Sequence, residues 1–425
     1  MLIAIRTRLE KSKNINRDSY VWNTTNALIN SAESPIITMV LTRSGNIYDA
    51  GVFSIAYAVG ALMLFVGQYG FRRYQSSDIR EKYSFSEYYG IRILTCIAMM
   101  IAVVLYCIYG VIFRNYNMEK CWAVFLVNCL KCVQSFTDVA HGRMQQKGRL
   151  DVATKCSAIR YVLEMGVFIP AYLITENLVA SLLVSVIVST AEAMLTSMNA
   201  IRDYAELKPT FNRRRMVQML IEGFPLFISL FLNIYLSNAP KYAIDAYLTE
   251  EIQAIYNIVF MPAFVVQLIV HFLFNPIITS YAEVWARGEI KRFKKLVIRQ
   301  MKMVLVLTLI GVVIAATIGA PVLGWLFKVD LSGYRRELVI VMIGGGMLAY
   351  SVFLNTVITI IRMHRTLIYS YGAAAIAAFA MSGFFVVNYG ILGATTLYAV
   401  IMTVLTVMLG SIVFYRIRKE GESLS

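Results

Sequence analysis

Charge is scarce in this sequence. Only 15% of its 425 residues are Asp, Glu, Lys or Arg, 58% are hydrophobic, and the mean hydropathy is +0.64. Soluble domains carry about a quarter charged residues, so that class is excluded. Long polar stretches are missing as well: apolar runs follow one another along the whole chain, the mark of a polytopic helical membrane protein. No soluble domain is expected before, between or after the runs, and the outer connections have about fifteen residues or fewer. A membrane polymerase or glycosyltransferase would need a sizeable outer loop or soluble domain for its catalytic groups, so an enzyme is not expected. The first twenty residues are polar and basic, and the first run is interrupted by Asn and Glu. Neither suits the short apolar core and small-residue cleavage site of a signal peptide. No Walker-type phosphate loop is present, which removes ATP hydrolysis as a driving force. No cofactor is expected. The six cysteines, Cys96, Cys107, Cys121, Cys129, Cys132 and Cys156, lie in or beside apolar runs and do not form a secreted disulfide framework. Cys129 and Cys132 make a C-x-x-C on an apolar helix without a second ligand pair, so no metal is expected.

Twelve spans are predicted, at roughly 21–41, 49–70, 88–112, 119–140, 151–173, 178–199, 216–238, 252–276, 302–327, 337–361, 366–387 and 390–414. With both termini inside, the cytoplasmic segments hold 31 of the 40 Lys and Arg. Outer segments hold seven, among them Arg43, Lys241 and Arg335. So lopsided an alternation supports an even number of spans with both ends cytoplasmic. The net charge of +15 then reads as an orientation signal and contact with anionic membrane lipid, with no nucleic-acid partner.

Polar residues recur at helical spacing. Asn26, Asn30 and Ser34 form a stripe in the first span, and Ser229, Asn233 and Ser237 form another 203 residues later. Residues four apart share a helix face, and lipid offers such side chains no partners. Both stripes should face a protein interior or a wet cavity. The same offset brings Gly51-Val52-Phe53 onto Ala254-Ile255-Tyr256. The fold class is therefore all-α integral membrane: about twelve helices in two pseudo-symmetric six-helix bundles, 1–205 and 206–425, around a central polar cavity. Six spans per half gives both halves the same orientation.

Ionisable residues inside spans are costly and mark function or specific pairing. Lys131 lies near the middle of span four, and Arg160 and Glu164 are four apart in span five, so these three can meet. The residues allow a buried ion pair that fixes packing, or an anion site in which Arg grips phosphate. Glu33 and Glu222 are candidates for ion coupling, each with a solvated helix end as the plainer reading. Asp138, His141, Gln145 and Arg149 lie where span four closes and span five opens, either as a capped charged loop or as a gate that meets a polar head group. No nucleophile stands at workable spacing to His141, so no catalytic residue is assigned. Gly344-Gly345-Gly346 and the small residues from Gly372 to Ala375 should allow close helix packing.

Several strings carry a family resemblance: Trp22-Asn23 opening span one, Thr42-Arg43 closing it, Phe71-Arg-Arg-Tyr-Gln-Ser-Ser-Asp78, Tyr83-Ser-Phe85, the stretch from Asp138 to Asp151, and Ala239-Pro-Lys-Tyr-Ala-Ile244. Through them the chain resembles the polysaccharide-transporter branch of the multidrug/oligosaccharidyl-lipid/polysaccharide exporter superfamily, and within it the bacterial O-antigen and lipopolysaccharide flippases. The resemblance implies two six-helix bundles that alternate access to a cavity. It implies translocation of a polyprenyl-diphosphate-linked oligosaccharide across the bacterial cytoplasmic membrane, with Asn26, Asn30, Arg43, Lys131, Arg160, Asn233 and Lys241 lining the cavity. Expected partners are the lipid-linked oligosaccharide, membrane lipid and polysaccharide-assembly enzymes, with the transporter itself a monomer. Some relatives have fourteen spans, and the last two are expected to be absent here. An ion-coupled multidrug or metabolite exporter of the same superfamily is the alternative; it would favour cationic substrates and a net acidic cavity.

Overall fold

The structure, a computed structural model, describes residues 2–78, 81–274 and 278–423. The predicted span 252–276 thus has its last two residues outside the described residues. Among the described residues there is no strand. By its internal contacts the chain divides into two units, Met1–Phe231 and Leu232–Ser425.

The first unit contains α1 (Leu2–Glu10), α2 (Ile15–Arg43), α3 (Ile47–Gln68), α4 (Phe71–Ser77), α5 (Phe85–Arg114), α6 (Met118–Gln146), α7 (Leu150–Thr175), α8 (Leu178–Leu195), α9 (Ser197–Ala200) and the beginning of α10 (Arg213–Tyr247). The sequence supplies side-chain caps at most of its reversals. Asn14, Asn46, Asn117 and Asn177 accept backbone N–H bonds at helix starts, and Ser84 with Glu87 forms a capping box at α5. Tyr69, Asn115 and Glu176 end helices in the left-handed conformation.

Connections that should share a membrane side do meet. Glu81, between α4 and α5, pairs with Arg143 at 2.9 Å and with Lys147 at 2.8 Å, at the end of α6. Arg149 reaches the Glu10 carbonyl, and Tyr204, after α9, donates to Glu10. Opposite them, Tyr172 donates to Asp49 at 2.7 Å and Asn117 donates to Tyr48 at 2.8 Å. In the first unit the N-terminal helix and alternate connections therefore collect on one face. The stretch 213–231 of α10 belongs to this unit through Lys82–Glu222 and Arg215–Glu87 pairs, both at 2.7 Å, and a stack of Tyr69 on Phe227. The predicted midpoint at residues 205 and 206 lies before these contacts.

The second unit contains the rest of α10, α11 (Glu250–Phe274), α12 (Ile278–Ala286), α13 (Ile290–Ile314), α14 (Ala320–Phe327), α15 (Arg335–Ile360) and α16 (His364–Ser423). Between α13 and α14 a π-helical turn spans Ala315–Gly319. Pro321 lacks the N–H that would close this turn onto the Ala316 carbonyl, and the Arg335 side chain donates to that oxygen instead. α16 breaks at Gly390, whose φ of 55° and ψ of −131° lie outside the helical region, and so makes two crossings. The glycine run of α15 admits close neighbours: a Cβ would stand 2.6 Å from Tyr398 at Gly344 and 2.7 Å from Ala263 at Gly345, and would press on Thr308 at Gly346. Gly372 has nothing within 4 Å of such a Cβ, so no close approach depends on it.

Among the described residues nine helical stretches are long and apolar enough to cross a membrane. One of them, Thr366–Glu420, is the pair joined at Gly390. α2 and α11, with 29 and 25 residues, complete twelve crossings. α2 falls below the apolar threshold because it carries the polar stripe and Glu33.

Candidate functional site

The first unit encloses an ionic cluster drawn from five helices. Glu33 of α2 is 2% exposed and accepts from Lys131 Nζ of α6 and from Tyr57 Oη of α3, each at 3.0 Å. The Lys131 ammonium lies 4.3 Å from the Tyr57 ring centre, and Gly60, one turn along α3, makes room for its stem. On α7, Arg160 Nη1 stands 3.5 Å from Glu164 Oε1 and its guanidinium packs on Tyr161. Ser189 of α8 donates to Glu164, and Thr196 donates to Glu192 at 2.6 Å. Glu33, Lys131, Glu164 and Ser185 line a cavity of about 10 Å³, room for about one water.

Lys131, Arg160 and Glu164 thus lie in one neighbourhood, but neither cation stands as an open anion site. Each has a buried carboxylate beside it, and the cavity holds no sugar-sized ligand. Counting Glu192, 4% exposed, this interior has three carboxylates against two cations. An unpaired buried carboxylate is costly, so the close placing of these acids and cations is what makes the interior tolerable.

The residues expected to gate the loop face are engaged with one another. Asp138 accepts from Arg72 at 3.2 Å and from Arg92 at 3.0 Å, while Arg92 also donates to the Gly67 carbonyl. His141 bonds Ser197 at 2.9 Å, and Gln145 accepts from Arg72 at 3.3 Å. Arg149 does not continue the face of His141 and Gln145. α6 ends at Gln146, and Arg149 turns instead to Asp151, Tyr204 and Glu10; the bonds to Asp151 raise its pKa above the ordinary arginine value. Glu222 lies at the surface paired with Lys82, which does not suit an intramembrane coupling site.

Of the stripe residues, Asn26 has a buried Oδ1 with no hydrogen-bond partner. Asn30 and Asn233 are half-buried. Ser229 and Ser237 turn back onto the carbonyls of Pro225 and Asn233. Arg43 is the exposed last residue of α2.

Lys241, expected in a connection after a span ending near 238, lies within a helix, because α10 passes through Pro240 and runs to Tyr247. Lys241 is only 8% exposed, donates to the neutral Asn257 side chain of α11 at 2.7 Å, and has the Phe260 ring 5.3 Å away. Among the described residues no carboxylate pairs with it. Tyr57, Ser189, Glu192 and Asn257 were not singled out from the sequence. Ser181, Ser185 and Ser189, spaced by four and all buried, carry the same signal as the Asn stripe. The six cysteines are free, and no three metal-ligating side chains cluster among the described residues.

A family model described as polysaccharide biosynthesis protein matches residues 19–282, more than half of the chain. The chain belongs to this family. No curated protein matches the sequence. Among solved structures, a multidrug resistance MATE family transporter of the MOP superfamily, in its inward-facing conformation, superimposes with a TM-score of 0.67 at 13% identity, over 94% of this chain and 96% of that one. A eukaryotic MATE transporter superimposes with a TM-score of 0.59 at 13% identity, over 100% of both chains. A MOP superfamily transporter from Pyrococcus furiosus, described as having a binding pocket of reverse polarity that suggests a different function, gives 0.51 at 14% identity, over 96% and 95%. These likenesses establish the fold. The chain therefore has the multi-pass membrane fold shared by the MOP superfamily transporters.

Proposed function

We propose that the protein is a flippase in the bacterial cytoplasmic membrane. It would carry a polyprenyl-diphosphate-linked oligosaccharide, the precursor of an O-antigen, capsule or exopolysaccharide, to the outer leaflet by alternating access. The family match over residues 19–282 carries this reading. No bond is made or broken; the barrier is desolvation of the sugar and diphosphate. Lys241 supports the substrate class: a buried ammonium answered, among the described residues, by a neutral amide and a ring can accept an anionic group. Asn26, Asn30 and Asn233 offer hydrogen bonds to glycan hydroxyls, and Arg43 offers a cation at a helix end. Lys131 and Arg160 reach a diphosphate only by exchanging Glu33 or Glu164 for it. The prenyl tail stays in lipid.

The test is glycan export in cells whose own flippase is deleted. Lys241→Gln should reduce export at normal membrane levels, and Lys241→Arg should retain most of it. Full export by a well-inserted Lys241→Gln protein would remove Lys241 from the proposal. A second reading, an ion-coupled multidrug or metabolite exporter, is favoured by the MATE transporters among the similar structures and by the excess of buried carboxylates in the first unit. Drug efflux without glycan export in the same cells would select it.

A further inference from the structure

Helix α1 is held to the first unit by one face only. Leu9 is 6% exposed within an apolar cluster, and Ile5, one turn earlier, packs beside it. Arg6 pairs with Asp203 at 2.9 Å, and Tyr204 donates to Glu10 Oε1 at 2.9 Å. Lys155 donates to the carbonyls of Leu9 and Lys11, and Arg149 to that of Glu10. These carbonyls form the negative end of the α1 dipole, and the two cations satisfy them. The acids of this segment are engaged in the same way, Glu10 by Tyr204 and Asp18 by Ser12 at 2.6 Å.

Other side chains of α1 and of residues 11–20 have no such partners among the described residues. Ile3 is 73% exposed, and Ile15 and Tyr20 at the start of α2 are 42% and 73% exposed. Arg8, Lys11, Lys13 and Arg17 are all exposed, and none pairs with a carboxylate among the described residues. A short docked helix with apolar tips and four unanswered cations, at the threshold of a membrane span, is complementary to one kind of surface. We propose that α1 and residues 11–20 form a binding platform for anionic phospholipid. Ile3, Ile15 and Tyr20 enter the headgroup boundary, and the four cations hold acidic headgroups. Because α1 is bonded to α7 and to the segment after α9, the platform is rigid and joins the lipid surface to the loop face of the first unit.

The experiment titrates the purified full chain in detergent with phosphatidylglycerol or phosphatidylcholine and counts retained lipids by native mass spectrometry. Wild type should retain phosphatidylglycerol in preference. Each of Arg8→Gln, Lys11→Gln, Lys13→Gln and Arg17→Gln should weaken that retention about fivefold, and the fourfold variant should lose the preference. The charge-keeping pair Arg8→Lys and Arg17→Lys should retain it. So should a variant with Gln at Lys291, Arg292, Lys294 and Lys295, which removes as many cations elsewhere. Equal phosphatidylglycerol retention by wild type and the fourfold variant would overturn the proposal, as would loss of the preference in the 291–295 variant.

Discussion

Removing Lys131 should cost far more than removing Lys131 and Glu33 together. The two side chains are 6% and 3% exposed and 3.0 Å apart, beside a cavity of about 10 Å³. Lys131→Ala leaves the Glu33 carboxylate with one neutral donor, Tyr57, and too little space for solvating water. Breaking a buried pair from one side costs about 3–5 kcal/mol, a shift of roughly a hundredfold or more in the folded fraction. Replacing both partners, as in Glu33→Leu with Lys131→Met, removes the charges together and should be near neutral or stabilising by about 1–4 kcal/mol. Denaturation of wild type, Glu33→Leu, Lys131→Met and the double variant in mixed micelles closes a double-mutant cycle, with a coupling of several kcal/mol expected. Single variants that each lose under about 1 kcal/mol and add in the double would refute the buried pair.

At Gly345, where a Cβ meets Ala263 at 2.7 Å, Gly345→Leu should lower stability by about 1–3 kcal/mol through overpacking, while Gly372→Ala, with nothing within 4 Å, should be tolerated; thermal unfolding compares them. Arg335→Ala should free the Ala316 carbonyl at a cost of about 1 kcal/mol, read as faster hydrogen exchange confined to residues 315–321. Hydrogen bonds from Lys147 and then Arg143 hold the Glu81 carboxyl below its usual pKa. A lowered carboxyl pKa stabilises above the unfolded value and ceases to do so as pH falls through the folded one, so the bond between the connections after α4 and α6 should loosen in acid; Glu81→Gln should flatten the acid limb of protease susceptibility there.

The periodic part of the fold was legible in the sequence. Apolar runs and basic connections suffice for twelve crossings, and the break at Gly390 falls on the first residue of the last predicted span. What the sequence concealed is which helices face each other. Spacing puts Arg160 and Glu164 on one face of α7, but nothing in it selects Glu33 of α2 as the partner of Lys131. For that reason the two cations read as a positive cavity, although both sit beside acids. Lys241 was misplaced because Asn238 and Pro240 look like a helix end; within a bundle, neighbouring groups can satisfy the backbone that a proline frees, and α10 continues. His141, Gln145 and Arg149 share a helical spacing that ends when α6 stops at Gln146. The serines of α8 were readable by the rule that found the Asn stripe, yet their small side chains do little to lower the hydropathy of that span.

The central claim is translocation of a lipid-linked glycan, and the most direct measurement is flipping in proteoliposomes. The purified protein would be reconstituted with a polyprenyl-diphosphate oligosaccharide, and a membrane-impermeant glycosidase or periodate would report which leaflet exposes the sugar. Transfer that depends on the protein and falls with Lys241→Gln is the expected result. Protein that leaves the glycan in its original leaflet, under an imposed proton gradient of either sign, while moving a cationic drug would contradict the flippase account.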